Sequence, residues 1–251
     1  FFYDNALSFQ ILESKANEHC SVPGKLMGYA SYGNYNVQIE NWLKENDYFK
    51  KNWKNGNEIF QSIKKTFGIT IENFDNKNQF YQNVAATFQH IFERDLIKKI
   101  EQLQKKTSSE YLYYAGGCAL NIVTNTKIIE RRIFKDVFIP PCCNDSGLSI
   151  GAAAFLEWKK GNKIQMHSSY LNNVGIEISN SIVEDDLIEQ TANIILQGGI
   201  IGVCNENAEV GPRALGNRSL LALANNKEIA KMLRKKKKNR EWYRPVAPIM
   251  L

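Results

Sequence analysis

The residues best placed to do chemistry in this sequence lie at glycine-rich breaks between apolar runs. Ala115–Asn121 reads AGGCALN. A strand that ends on Gly116-Gly117 where a helix begins lets backbone N–H groups approach a ligand with no side chain in the way, beside the positive end of the helix dipole. That arrangement suits a phosphate or the edge of a nucleotide, and Asn121, about one turn further on, is placed to hydrogen-bond it. A plain tight turn from strand to helix uses the same two glycines. Pro140–Ala154 reads PPCCNDSGLSIGAAA. Asn144 and Asp145 stand at a helix start after a strand, where a carboxylate can ligate a divalent cation or orient a phosphate through one. Capping the helix is the alternative. Cys142 and Cys143 are adjacent, which is not the spacing of ordinary zinc sites. Gly147, Gly151 and the alanines predict a helix packed close against a neighbour.

Two further segments are basic. Gly211–Ser219 reads GPRALGNRS, with Arg213 and Arg218 in a Gly/Pro loop and Asn217 and Ser219 beside them. Paired guanidinium forks recognise phosphate or carboxylate oxygens; the alternative is a structural pair with a carboxylate of the chain itself. Arg234–Pro245 reads RKKKKNREWYRP. Its basic residues, Arg240 and Arg244 among them, interleave with Trp242 and Tyr243, a composition able to stack on a base or to form a solvated helix face. His19, His90 and His167 are far apart in sequence, His90 in the polar part of a long helix, and no HxxxH, HExxH or GxSxG is present.

The elements that must position these residues read as an α/β arrangement. Val84, Phe88, Ile91, Phe92, Leu96, Ile100 and Leu103 recur at helical steps, which predicts one amphipathic helix from Asn78 to Lys106. Tyr111 to Lys160 reads as strand, Gly-Gly, helix, strand, loop, helix, and strands alternating with helices imply an α/β fold. Gly116 and Asp145 are then expected at strand C-terminal ends facing one cleft. Ser181–Glu184 is a capping box opening a helix that stops at Gly198-Gly199. Ile200–Cys204 reads as a strand, the stretch through Ser219 as a loop, and a basic helix follows. Residues up to about Lys77 read as loops with some short strands or helices, Pro23–Asn34 being turn-rich.

Composition narrows the class. Hydrophobic residues are 43% and charged residues 23% of 251, which is globular and neither disordered nor fibrous. No stretch approaches the roughly 18 apolar residues of a membrane helix, and no signal peptide is recognisable. The net charge is +6, much of it in the run around Lys235–Lys238, which favours phosphate-bearing partners. The five cysteines are scattered and odd in number, as reduced thiols of a cytoplasmic protein would be. The chain opens without Met and stops at PVAPIML, so both ends read as those of a piece of a longer protein.

Taken in order, these blocks resemble the carbamoyltransferases of the nodulation-factor and antibiotic-tailoring type. The resemblance runs from FYDNALSFQIL and PGKLMGYASYG, through NVAATFQ, AGGCALN and FKDVFIPPCCNDSGLSIGAA, to GPRALGNRSLLA and KKNREWYRPVAP. It implies a Kae1-like domain of the actin-like ATPase superfamily over residues 1–165, lacking its first part, and the front of a YrdC-like α/β domain over residues 166–251. It implies an ATP-dependent transfer from carbamoyl phosphate, through a carbamoyladenylate, to a hydroxyl of a sugar or natural product. A divalent metal, iron or magnesium-like, is the implied partner of the nucleotide, and nucleic acid is not an expected partner. Carried over by position, Gly24, Lys25, Gly116, Gly117 and Asn121 would bind nucleotide and Asp145 the metal. Arg213, Asn217, Arg218, Arg240 and Arg244 would bind carbamoyl phosphate or phosphate. The family's histidine pair, which joins the aspartate around the metal, lies upstream of the first block and is absent here, and GEYK reads Val22-Pro-Gly-Lys25. Two alternatives remain: a tRNA threonylcarbamoyl-transfer relative, and a non-catalytic nucleotide- or nucleic-acid-binding fragment.

Overall fold

The computed structural model describes residues 12, 21–50, 56–70, 75–164, 168–172, 185–234 and 240–249. The opening block, the Ser181–Glu184 capping box and the Lys235–Lys238 run lie almost wholly outside the described residues. The chain forms two compact units. The first is Phe1–Tyr111 with Asn121–Asp136 and Tyr243–Pro245; the second is Leu112–Leu120 with Val137–Trp242 and Val246–Leu251.

The first unit is helical. Helices α1 (Val22–Ala30), α2 (Val37–Glu45), α3 (Gly56–Thr66), α4 (Gln79–Thr107) and α5 (Ile122–Glu130) build it, with α1, α2 and α5 all packing on α4. Asparagines start three of them. Asn36 accepts from the N–H groups of Gln38 and Ile39, Asn78 from that of Phe80, and Asn121 from that of Thr124. Each satisfies a main-chain donor that the first helical turn leaves open. The Pro23–Asn34 segment is a helix followed by turns, against the turn-rich expectation. Pro23 fits the first turn of α1, where its missing N–H costs nothing. Val22, Leu26, Tyr29 and Ala30 then recur on one buried face, a short period that the three glycines obscure. Gly33 lets the chain pass tightly over α4, since a Cβ there would run into the Gln82 carbonyl.

The long helix appears as expected, and Val84, Phe88, Ile91, Phe92 and Ile100 of its stripe are buried. Leu103 is exposed, because the last turns of α4 extend past the helices that cover its start. Tyr243 is buried in this unit with its ring edge-on to Tyr29 at 5.0 Å.

The second unit holds small sheets and loops. Strands β1 (Tyr111–Tyr113) and β2 (Asp136–Phe138) pair. Lys135 N–H donates to the Glu110 carbonyl and Tyr114 N–H to that of Phe138, so the register advances the same way along both strands and they are parallel. The connection runs through a 3-10 turn (Gly117–Leu120) and α5, the strand–helix–strand unit expected. After β2 comes a second 3-10 turn (Asp145–Gly147) and then α6 (Leu148–Lys159). No residue of α6 is buried among the described residues, and a Cβ on Gly151 would meet nothing within 4 Å. The expected close packing of this helix is therefore not seen.

Beyond it, β3 (Tyr170–Asn172) pairs with β5 (Ala208–Glu209), and β4 (Ile200–Cys204) with β6 (Arg218–Ala222), both antiparallel. Helix α7 (Asp185–Leu196) packs on β4, and α8 (Lys227–Met232) follows β6, capped by Asn226. Strand β6 is absent from the sequence-based reading because Arg218-Ser219 closes a Gly/Asn-rich loop. Pairing with all five residues of β4 makes a strand of it.

Candidate functional site

Within the second unit, three of the segments singled out from sequence meet at Pro141–Cys143. The Gly116 N–H donates to the Cys143 carbonyl at 2.6 Å, joining the Gly-Gly turn to the loop after β2. Both lie just past the C-terminal ends of parallel strands, so Gly116 and the loop carrying Asp145 share one end of the sheet. Gly211 comes against the same loop; at φ +98° a Cβ would stand 3.2 Å from Cys142 Cα and closer still to the Pro141 carbonyl. Arg213 is close enough to act on Cys143. Burial pushes that thiol's pKa up and the Cys142 thiol adds to the rise, while the Arg213 cation draws it down.

This meeting point presents donors. Gly116 takes φ +102°, which turns the chain as only glycine does readily. Gly117 and Cys118 open the 3-10 turn, so their N–H groups have no carbonyl within it to bond. A Cβ at Gly116 or Gly117 would meet nothing within 4 Å, so open space lies in front of this backbone. Beside it the Tyr114 hydroxyl is buried and has no hydrogen-bond partner among the described residues. Burial raises its pKa, helped by the neighbouring Cys118 and Cys143 thiols, and keeps it a protonated donor. With Arg213 bearing on Cys143 of the adjoining loop, the exposed Gly117 and Cys118 N–H groups suit an anion such as a phosphate. Tyr114 carries no motif that would single it out in sequence; YLYY gives no sign of which tyrosine is buried.

The other expected site residues are placed elsewhere or engaged differently. Asn121 is buried in the first unit. Its side-chain oxygen accepts from Thr124 N–H at 3.0 Å and from Gln89 at 3.1 Å, and its amide donates to the Gln89 oxygen at 3.0 Å. Gln89 in turn donates to Glu93 at 2.7 Å, and Lys127 pairs with Glu93. Asn121 thus locks α5 onto α4. Gly24 and Arg244 come together in the first unit, where a Cβ on Gly24 would sit 3.6 Å from an Arg244 guanidinium nitrogen, with Lys25 next on α1.

Arg218 in the second unit donates to the carbonyls of Asn205, Asn217 and Glu206 at 2.8–2.9 Å, clamping the β4–β6 hairpin. Asn217 helps, donating through its side chain to the Asn207 carbonyl. Buried Glu209 accepts from the N–H groups of Leu215, Asn217 and Arg218. Burial alone would raise its pKa, but these main-chain donors hold it below the usual carboxylate range. Arg240 bonds the Arg234 carbonyl through its main chain.

Asp145 is exposed at the start of its 3-10 turn. Among the described residues no three His, Cys, Asp or Glu side chains gather as a metal would require. The described residues around Asp145 do not by themselves make up the ligand set of a divalent cation.

Two family models match the chain in order, the carbamoyltransferase N-terminus over residues 3–154 and the carbamoyltransferase C-terminus over residues 192–251. The chain belongs to the carbamoyltransferase family. Among curated relatives, nodulation protein U of Bradyrhizobium diazoefficiens is 34% identical over 180 residues, covering 68% of this chain and 31% of its own. Nodulation protein NolNO of Sinorhizobium fredii is 32% identical over 192 residues, 69% of this chain and 28% of its own. An uncharacterised protein of Methanocaldococcus jannaschii is 29% identical over 255 aligned residues, 91% of this chain and 47% of its own. The chain spans less than half the length of these relatives. The Gly-Gly turn and the loop after β2 lie in the N-terminal family match, and the Arg213 loop in the C-terminal one. No described helix is long and apolar enough to cross a membrane.

Proposed function

We propose that this chain forms part of an ATP-dependent O-carbamoyltransferase. It would move a carbamoyl group from carbamoyl phosphate, by way of a carbamoyladenylate, to a hydroxyl of a sugar or natural product. The observation that carries the reading is the meeting of Gly116-Gly117 and Arg213 at Cys143, built from loops that fall in the two matched family segments. Carbamate is a poor acyl donor until its oxygen bears a good leaving group: water splits carbamoyl phosphate into carbamate and phosphate, and the carbamate oxygen then displaces pyrophosphate from the α-phosphorus of ATP. The acceptor oxygen then attacks the carbamoyl carbon, the bond to the AMP oxygen breaks, and the hydroxyl proton leaves.

Such a reaction asks the protein for position and for neutralised phosphate charge. Gly117 and Cys118 N–H, the Tyr114 hydroxyl and Arg213 serve that task. Arg218 keeps the hairpin in shape, and Asn121 fixes the helix that follows the Gly-Gly turn. Lys25 and Arg244, both on the first unit, are a second cationic group for nucleotide phosphate.

The test is pyrophosphate–ATP exchange measured with and without carbamoyl phosphate on the protein as its reading frame encodes it. Exchange should depend on carbamoyl phosphate, and Arg213→Ala should lower it at least tenfold with the melting temperature unchanged. Exchange indifferent to carbamoyl phosphate, or Arg213→Ala at the wild-type rate, would sink the assignment.

A further inference from the structure

In the first unit a segment remote in sequence is laid along α1. Tyr243–Pro245 belongs to that unit, and Tyr243 is buried with its ring edge-on to Tyr29. Tyr29 is fully buried in turn, and its hydroxyl donates to the Asn76 carbonyl at 2.8 Å, so the surface under Tyr243 is itself fixed. Gly24 and Gly28 are four residues apart and share one face of α1. A Cβ on Gly28 would stand 3.2 Å from Pro245 Cδ and 3.5 Å from the Tyr243 carbonyl oxygen, and one on Gly24 would stand 3.6 Å from an Arg244 guanidinium nitrogen. The two bare positions form a shallow groove, and the Tyr-Arg-Pro strap lies along it.

Neither glycine takes a positive φ. Their conformational freedom is unused, and glycine is a poor residue inside a helix, so what these positions supply is the missing side chain. Pro245 works to the same end, because a proline disfavours helical backbone at the residue before it, and no helix or strand takes in the strap. Arg244 is therefore held on both sides, by buried Tyr243 and by Pro245 against Gly28. It is half-buried beside the first turn of α1 and Lys25, and it makes no ion pair among the described residues. A cation with no carboxylate partner gains by meeting an anion, and one whose backbone is already held loses less freedom in doing so.

We propose that Gly24, Gly28 and Tyr243 are positioning residues: they seat the strap so that Arg244 is held over the first turn of α1, beside Lys25, for a nucleotide phosphate. The role rests on the transferase reading above, in which Arg244 meets that phosphate; the seat itself does not. The three residues act through Arg244 and not by contact with the nucleotide.

The test has two readouts on the protein as its reading frame encodes it. Without nucleotide, phenylglyoxal modification of Arg244, followed by mass spectrometry, should run about fivefold faster in Gly28→Leu and in Tyr243→Ala than in the wild type. With a fluorescent ATP analogue and no carbamoyl phosphate, Arg244→Ala should weaken binding about tenfold, and Gly28→Leu about as much. The double variant should then bind no worse than Arg244→Ala alone, because a positioning residue has nothing left to position. Arg244→Lys should restore little. Gly28→Ala, whose methyl group displaces the strap by only a fraction of an ångström, should fall between wild type and Gly28→Leu. Leucine favours a helix more than glycine does, so a loss in Gly28→Leu is not a loss of α1. Should Gly28→Leu not fold, Gly24→Leu, whose Cβ meets only Arg244 within 4 Å, replaces it. Equal phenylglyoxal rates would overturn the seat, and additive losses in the double variant would overturn the action through Arg244. Arg244→Ala binding as wild type, with the phenylglyoxal rates still apart, would instead remove the phosphate reading and the positioning role with it, leaving the seat as packing alone.

Discussion

The two units use polar groups in opposite ways. In the helical unit main-chain donors are largely spent within helices, and polar side chains such as Gln89, Asn121, Glu93 and Lys127 bond to one another. In the second unit the chain leaves two short strands through turns, and main-chain N–H groups at Gly117 and Cys118 stand at the surface beside a tyrosine hydroxyl and an arginine. What is left there is donor. The units differ in core as well: the largest fully buried side chains among the described residues, Tyr29, Tyr81, Phe88 and Ile128 among them, all belong to the helical unit. The lesson is that a packed helical body uses its main-chain donors internally, whereas a turn at a strand end leaves them open.

The contrast in packing is the easiest to break. Phe88, fully buried and within ring contact of Tyr48 and Phe49, should cost about 3–5 kcal/mol as Phe88→Ala in urea unfolding. Leu156→Ala on α6, where the side chain is 60% exposed, should cost less than about 0.5 kcal/mol. A large loss at Leu156 would mean that α6 is covered in solution.

A smaller effect separates the units by pH. Burial would raise the pKa of Glu40, but Lys44, Tyr35 and Arg94 outweigh it and hold the carboxyl at about 2. A folded-state pKa below the unfolded one stabilises the native state above the ordinary carboxylate range, and that stability is lost as the pH falls towards about 2. With Arg94 and Lys44 half-exposed, the contribution should be about 1–3 kcal/mol. Comparing urea midpoints at pH 7 and pH 2.5, Glu40→Gln should remove that part of the acid sensitivity of the helical unit. An acid response unchanged by the substitution would show that the ion pairs do not hold α2 to α4.

The smallest expected stability effect sharpens the site. Gly117→Ala meets no atom within 4 Å, so stability should shift by less than about 0.5 kcal/mol. Binding of a fluorescent ATP analogue should nevertheless weaken at least tenfold, because the methyl group stands where the ligand would approach. Unchanged binding would return the Gly-Gly pair to the status of a turn.

The sequence alone was sufficient for whatever depends on local periodicity and on punctuation. The α4 stripe, the strand–helix–strand unit around Gly116-Gly117, β4, and α7 stopping just before Gly198-Gly199 are all legible, because three-to-four-residue spacing and Gly/Pro breaks act within a few residues. The family is legible too, because its blocks are contiguous. Helix α1 was hidden by its glycines and β6 by its loop-like composition, each made regular by a distant partner, α4 and β4. The roles of particular polar residues were hidden for the same reason. Asn121 belongs to Gln89 and Arg218 to the carbonyls of Asn205 and Glu206, pairings between residues remote in sequence that no spacing rule encodes. That the Tyr114 hydroxyl has no partner among the described residues is decided only when every other donor and acceptor has found its own, and that accounting exists only in the tertiary structure.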